Sequence, residues 1–436
     1  MSWKTTEYTG WGRVLSANGQ LARPERARAL SEIAKTPCPA IGNRRSYGDA
    51  ALNSDGKAID MTRMNRILGF DAGTGVVTVE AGITIGELAH VFAPKGWIPA
   101  VMPGTGFATV GGCIAQDVHG KNHHNAGSFG QHVLSVTLLQ GDKRTTATPT
   151  KNKDLFRATM GGIGQTGVIA EAKLQLKPCA GDVMMVTEQR ADNWDQHINL
   201  LDASTAEYCV GWIDATATGG ALGRGVIEEA ELAKGLLPTA KPSKSVPMNA
   251  PNWALSGPIV RAFNAAYFRR VPGSGKSSVK RIDDFFFPLD KIHDWNRLYG
   301  KRGFHQFQNV VPLDQMDALR EMLGLIARSG LASPLAVLKR MGPGRAGHMS
   351  FPMEGYTLAV DFPARDNAKD LIARLEDMTK DAGGRLYLAK DALATGPAIK
   401  AMYPEHGDWT KLADKADPDH AFATDMTRRL DLRNAI

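Results

Sequence analysis

The sequence predicts an α+β protein of two domains, and three observations carry that expectation. Residues 103–132, PGTGFATVGGCIAQDVHGKNHHNAGSFGQH, hold seven glycines and four histidines. The second half of the chain interleaves aromatic and β-branched runs with amphipathic stretches closed by glycine, the pattern of an antiparallel sheet covered by helices. The character of the chain changes near residue 180, and 436 residues suffice for two ordinary domains.

Each element is read from local pattern. PERARALSEIAK (24–35) reads as a short helix opened by Pro24. A turn-rich stretch, IGNRRSYGDAALNSDGKAID, precedes the β-rich run GVVTVEAG. Thr84 and Glu87 form a capping box for a helix through GELAHVFAPKG. HVLSVTLLQGD reads as a strand into a turn. KDLFRATMGGIGQTGVIAEAKLQLKP reads as helix, glycine turn and strand, because Val168, Ala170, Ala172, Leu174 and Leu176 alternate with polar residues until Pro178. Residues 218–250 are irregular and predict a flexible insertion or lid. DDFFFPLD, FHQFQNVVP and GYTLAVDFP predict strands, and LDQMDALREMLGLIARSG and NAKDLIARLEDMTKDAGG predict amphipathic helices. GRLYLAKDALAT and AMYPEHGDWTKLADKADPDHAF form a distinct tail.

Composition narrows the function. Hydrophobic content of 43% and charged content of 22% are those of a soluble globular chain. The net charge of +7 comes from dispersed Lys and Arg, not a nucleic-acid arm, so no nucleic-acid partner is expected. No secretion signal or spanning segment is visible, which predicts a cytoplasmic protein or one peripheral to a membrane. Cys38, Cys113, Cys179 and Cys209 form no C-x-x-C and are expected as buried hydrophobes.

The glycine-rich stretch is where backbone can approach a large nucleotide closely and aim N–H groups at phosphate. Gly162-x-Gly164-x-x-Gly167 imitates a Rossmann fingerprint, but helix precedes it and strand comes after, the reverse of what that motif needs. His119, His123, His124 and His132 lack H-E-x-x-H spacing, so hydrogen-bonding histidines are expected and no metal site. No nucleophile elbow, Walker loop or kinase signature is present.

A first glycine loop, Gly42-Asn43-Arg44-Arg45-Ser46-Tyr47-Gly48, is followed about 60 residues later by PGTGFATVGG…HGKNHH…GSFG, and about 30 residues after that by GGIGQTGVI. This order resembles the vanillyl-alcohol-oxidase-type FAD oxidases. RSYGD, IDMT, HGKNHH-x-AGSFG, SFP, VDFP, GGRLY-x-AKD, AMYP and FA-x-DM-x-RRL extend the likeness to the branch of that family that oxidises polyprenyl-phosphoryl ribose. The likeness runs from about residue 10 to the end and is weakest around 180–280.

The resemblance implies a two-domain FAD-binding oxidase fold: an FAD-binding domain (1–180), a substrate-binding domain (181–384), and a C-terminal segment (385–436) returning to the first. It implies FAD contacts from Gly42, Asn43, Arg44, Arg45, Ser46, Tyr47, Gly48, Pro103, Gly104, Thr105, Thr109, Gly111, Gly112, His119, Asn122, Gly127, Val168, Ile169 and Tyr387. It places Lys390, Tyr47 and His119 in catalysis, and Lys121, Gln306, Gln308, Lys339 and Lys390 on the substrate. The implied reaction is oxidation of the C2 hydroxyl of a polyprenyl-phosphoryl-β-D-ribose to the 2-keto sugar, the first half of an epimerisation to arabinose. An NAD(P)H-dependent keto-sugar reductase would take the product, with peripheral membrane access to the lipid.

Some relatives bond flavin covalently through a first-loop histidine, and the matching position here is Arg45, so the FAD is expected to be non-covalent. Arg44 stands where the family usually has glycine. Ala359 stands where mycobacterial members carry cysteine, so covalent inhibitors aimed at that thiol are expected to fail. The alternatives are an FAD oxidase or dehydrogenase of a soluble sugar, alditol or aldonolactone, and a flavin-binding subunit without turnover.

Overall fold

A computed structural model describes residues 3–240 and 242–433, so Lys241 of the expected 218–250 insertion lies outside the described residues. Three main sheets organise the chain. A four-stranded sheet takes Lys4–Thr9, Ser16–Ala22, Lys57–Asp60 and Ala40–Ile41 in that order. A six-stranded sheet runs Ile67–Asp71, Val76–Glu80, Val168–Pro178, Val133–Gln140 and Lys143–Ala147, with Trp97–Pro99 pairing beside Val168–Pro178. An eight-stranded antiparallel sheet runs Lys276–Arg281, Val183–Ala191, Gly225–Ala233, Tyr208–Ile213, Ala336–Met341, Gly355–Pro363, Phe304–Val311 and Arg385–Leu386.

Local signals explain the first half. Thr84 accepts from the Glu87 N–H, and the Glu87 carboxylate accepts from the Thr84 N–H, so the capping box opens the helix Ile85–Phe92. Along Val168–Pro178 the five alternating apolar residues are at most 3% exposed. Each such burial contributes roughly 1–3 kcal/mol according to side-chain size. The glycines after the helix Lys153–Thr159 form a turn, with Gly161, Gly164 and Gly167 at φ of 69°, 75° and 133°. Helix before and strand after is the order that excluded a Rossmann loop.

Two expectations are corrected. DDFFFPLD is not a strand: Ile282–Phe286 is a short helix. Asp283 and Asp284 favour its N-terminal turn, and Phe285, Phe286 and Phe287 are buried against Tyr208 and one another. Nor is 218–250 irregular throughout, because Gly225–Ala233 is an inner strand of the large sheet, flanked by Val183–Ala191 and Tyr208–Ile213. Its charged residues disguise a strand in which Glu228 is paired with Arg270 and Lys280, both distant in sequence. The amphipathic helices Met316–Ser329 and Asp366–Asp381 are present, closed by Gly330 and Gly383 in the left-handed conformation.

The C-terminal segment ties back to the first 160 residues. The Trp409 indole, 0% exposed, donates to Ala158 O. Arg429 forks to Asp49 and also donates to Asp391, at 2.7–2.9 Å, and both carboxylates are 4% exposed. Arg429→Ala strands two buried carboxylates and is expected to lower unfolding stability by about 2–4 kcal/mol. Arg302→Ala, which breaks an exposed pair with Asp366, should change it by less than about 1 kcal/mol. Denaturant titration of both variants checks the contrast.

Candidate active site

One cleft of about 1220 Å3 runs between the glycine loops and a face of the large sheet. The first loop reaches it through residues 42–47 and the second through Pro103–Thr105 and Phe107–Thr109. Among the described residues, the N–H groups of Gly42 to Ser46 donate to no protein acceptor. Gly42 packs so closely on Thr109 that a Cβ would lie 2.3 Å from its hydroxyl oxygen. Arg44 adopts a left-handed φ of 49°, so it keeps a glycine-like backbone at a cost of about 1–2 kcal/mol. The Arg45 guanidinium is sandwiched between Trp11 (4.1 Å) and Phe107 (4.6 Å), and its Nε has no partner in the fold. Asp290 pins the second loop by accepting from the Thr105 hydroxyl and the Gly106 N–H, both at 2.7 Å. A Cβ on Gly104 would meet nothing within 4 Å. Unpartnered amides, a half-buried cation and an open glycine face fit the diphosphate of a dinucleotide such as FAD.

The sheet side carries the reactive groups. Lys390 is buried with its Nζ 3.6 Å from the centre of the Tyr47 ring. Burial pushes this amine down from its ordinary value, and Asp361 pulls it back up. Asp361 is 0% exposed and accepts from the Tyr299 hydroxyl at 3.1 Å and from the Gln306 amide. Burial pushes its carboxyl upward, while Gln306 and Lys390 oppose that shift. Tyr299 also bonds the Ser333 hydroxyl at 2.9 Å. Tyr387 stacks on Phe351 at 4.6 Å, with the His119 ring 5.5 Å away.

His119 lies between Gln308 (3.1 Å to Nε2) and Lys339 (3.0 Å to Nδ1). Burial and the Lys339 charge hold the imidazole well below its usual range, so it is neutral near pH 7. A neutral ring carries a single N–H. The Gln308 amide nitrogen donates to Nε2, which leaves Nδ1 to carry the ring N–H and donate to an uncharged Lys339. Lys339 itself is pushed down to about 7 by burial, with Lys121 and Lys390 adding repulsion.

The cleft thus brings together Gly42, Asn43, Arg44, Arg45, Ser46, Tyr47, Pro103, Gly104, Thr105, Thr109, Gly112, His119, Lys121, Gln306, Gln308, Lys339, Tyr387 and Lys390. Gly48, Gly111, Asn122, Gly127, Val168 and Ile169 stand behind its walls. Gly48 lies against Asp391 O and Gly111 against Ala81. The Asn122 amide donates to Ala100 O, Gly127 comes directly after the short helix His123–Ala126, and Val168 and Ile169 pair with Leu139 and Leu138. His123, His124 and His132 each bond a backbone carbonyl. Ala359 faces the cleft between Gln308 and Val337.

Sequence reading missed Asp361 and Asp290. Asp361 had a signal: in GYTLAVDFP, Thr357, Ala359 and Asp361 share one face and all three line the cleft. Asp290 had none, since its partner loop is about 180 residues away. Gly104→Ala touches nothing in the fold, so the apo protein should melt within about 1 °C of wild type, under roughly 0.5 kcal/mol. Flavin titration of the same variant should show FAD affinity at least several-fold weaker.

The FAD binding domain family matches residues 24–149. Over 98% of both chains, the protein is 37% identical to decaprenylphosphoryl-β-D-ribose oxidase of Mycolicibacterium smegmatis. It is 33% identical to an uncharacterized protein of Streptomyces coelicolor, over 80% of this chain and all of that one. It is 24% identical to L-gulono-1,4-lactone dehydrogenase of Mycobacterium tuberculosis, over 97% of this chain and 98% of that one. Likeness along the full length at that level settles membership: the chain belongs to the FAD-dependent oxidoreductase family that contains decaprenylphosphoryl-β-D-ribose oxidase.

Proposed function

We propose that this chain oxidises the C2 hydroxyl of a polyprenyl-phosphoryl-β-D-ribose to the 2-keto sugar, the first half of an epimerisation to arabinose. The observation that carries the reading is the full-length likeness to an oxidase of that substrate, joined to a cleft whose buried amine faces the glycine loops. Bound FAD supplies the two-electron acceptor. The residues of the chain supply the rest. Lys390, held low by burial, takes the hydroxyl proton on its Nζ, and the Tyr47 ring stabilises the ammonium that forms. Asp361 keeps that ammonium from being too acidic to form. Gln308 and neutral His119 orient the sugar, and the surrounding apolar wall excludes water.

Arg45 in place of a histidine supports non-covalent FAD. The proposed domains are 1–180, 181–384 and 385–436. The two smaller main sheets fall in the first, whereas Arg385–Leu386 adds the last strand of the large sheet and so lends its start to the second. Among the described residues no helix is long and apolar enough to cross a membrane. Ile259 and Phe263, exposed by 41% and 52%, edge the cleft and support peripheral contact with the bilayer that holds the substrate. The keto-sugar product calls for an NAD(P)H-dependent reductase as partner. The likeness to a lactone dehydrogenase keeps a soluble sugar, alditol or aldonolactone as the second reading.

Anaerobic addition of polyprenyl-phosphoryl ribose in detergent should bleach the flavin band, and Lys390→Met should slow bleaching by about 100-fold or more. Bleaching by a small polyol or aldonolactone instead would favour the second reading.

A further inference from the structure

The cleft continues past the reactive groups into a charged cluster that the proposed chemistry leaves without a task. In the large sheet, Glu228 stands opposite Glu188 on the neighbouring strand. Like charges in direct register repel. Two cations resolve the repulsion. Arg270 donates to Glu188 at 2.5 Å and approaches Glu228 to 3.8 Å; the Lys280 amine lies 3.3 Å from Glu228 and 4.0 Å from Glu188. A third cation, Lys121, stands 4.0 Å from Glu228 and 3.9 Å from the centre of the Phe285 ring.

Three cations against two carboxylates leave one positive charge uncompensated. Lys121, Lys280, Arg270 and Glu228 all line the cleft, whereas Glu188 is sealed beneath them at 2% exposure. Arg270 Nε has no partner in the fold.

The position is as specific as the charge. The strand of Lys339 is two places from the strand of Glu228 in the sheet, roughly 10 Å at ordinary strand spacing. That interval suits a pentose whose far side reaches the cluster. On the same wall Trp212 packs on Tyr267 at 4.6 Å, and Phe263, exposed at the rim, stacks on Tyr267. The cleft wall thus carries an amine, a net positive cluster about a sugar's length away, and an apolar rim.

We propose that this cluster is a phosphodiester subsite, in which Lys121, Lys280 and Arg270 hold the single negative charge linking sugar to prenyl chain. The inference rests on the functional reading above and names the groups that recognise the linkage. Glu228 and Glu188 fix the cations in place and limit the site to one negative charge, which disfavours a dianionic terminal phosphate.

The test is isothermal titration of the FAD-loaded enzyme at low salt with two probes, geranyl methyl phosphate, a monoanionic diester, and geranyl methyl carbonate, its uncharged analogue. Lys280→Met should raise the Kd of the diester about tenfold and leave that of the carbonate within about twofold; Lys280→Arg should restore diester binding to within about threefold. Rising salt should weaken the diester alone. An unchanged diester Kd in Lys280→Met, or equal weakening of both probes, would overturn the subsite and leave the cluster a structural clamp. If polyprenyl-phosphoryl ribose fails to bleach wild-type flavin while the diester result stands, the functional reading fails and the subsite survives.

Discussion

The Asp361 carboxylate sits at zero exposure in the cleft wall, fixed by the Tyr299 hydroxyl and the Gln306 amide, and it is the anion that raises the pKa of Lys390. Along the cleft the fold sets three amines, Lys390, Lys339 and Lys121, each held below its ordinary value by burial. Desolvation disfavours every one of these charges, and mutual repulsion adds to the effect. Without Asp361 the reactive end of the cleft would favour uncharged amines. With it, Lys390 is poised to exchange a proton near neutral pH. Two adjacent sheet strands and a C-terminal turn hold that pair of opposite charges beside the first glycine loop.

Placement of Lys390 shows how the fold achieves this. The strand Arg385–Leu386 pairs with Asn309 and Val310, and the Tyr387 N–H donates to Gln308 O. The next turn is clamped from the other side, where the Tyr47 N–H donates to Ala389 O and Gly48 lies against Asp391 O. Lys390 is therefore gripped between the large sheet and the first glycine loop. Gly48 serves this contact instead of lining the cleft, because a Cβ there would lie 2.0 Å from Asp391 O. Arg429 locks the same turn from behind through Asp391 and Asp49. The first glycine loop, the Lys390 turn and the C-terminal segment are one mechanical unit.

Much of this was legible in the chain because it is local. Alternation located Val168–Pro178, an aromatic and β-branched run located Phe304–Val311, the capping box located Ile85–Phe92, and left-handed glycines closed the two long helices. The glycine loops announced a nucleotide site, and family motifs pointed to Tyr47, Gln308, Lys339 and Lys390, all of which line the cleft. What was not legible depends on partners far away in sequence. Glu228 looks like a surface residue until Arg270 arrives from a helix end and Lys280 from another strand, so Gly225–Ala233 resembles an irregular insertion. The phenylalanines of DDFFFPLD have β propensity, but burial against Tyr208 and two acidic residues at the first turn favour a helix there. Asp290 gains meaning only through Thr105 and Gly106.

We propose that Lys390 acts as the uncharged amine and that Asp361 sets its pKa. The most direct measurement is the rate of anaerobic flavin reduction by polyprenyl-phosphoryl ribose against pH, by stopped flow, for wild type and Asp361→Asn. In the wild type the rate should rise with pH along a limb well below the 10.5 of an ordinary lysine. Removing the carboxylate removes the influence that raises the amine, so the limb should move to lower pH. A limb that stays in place, or moves to higher pH, would contradict the account.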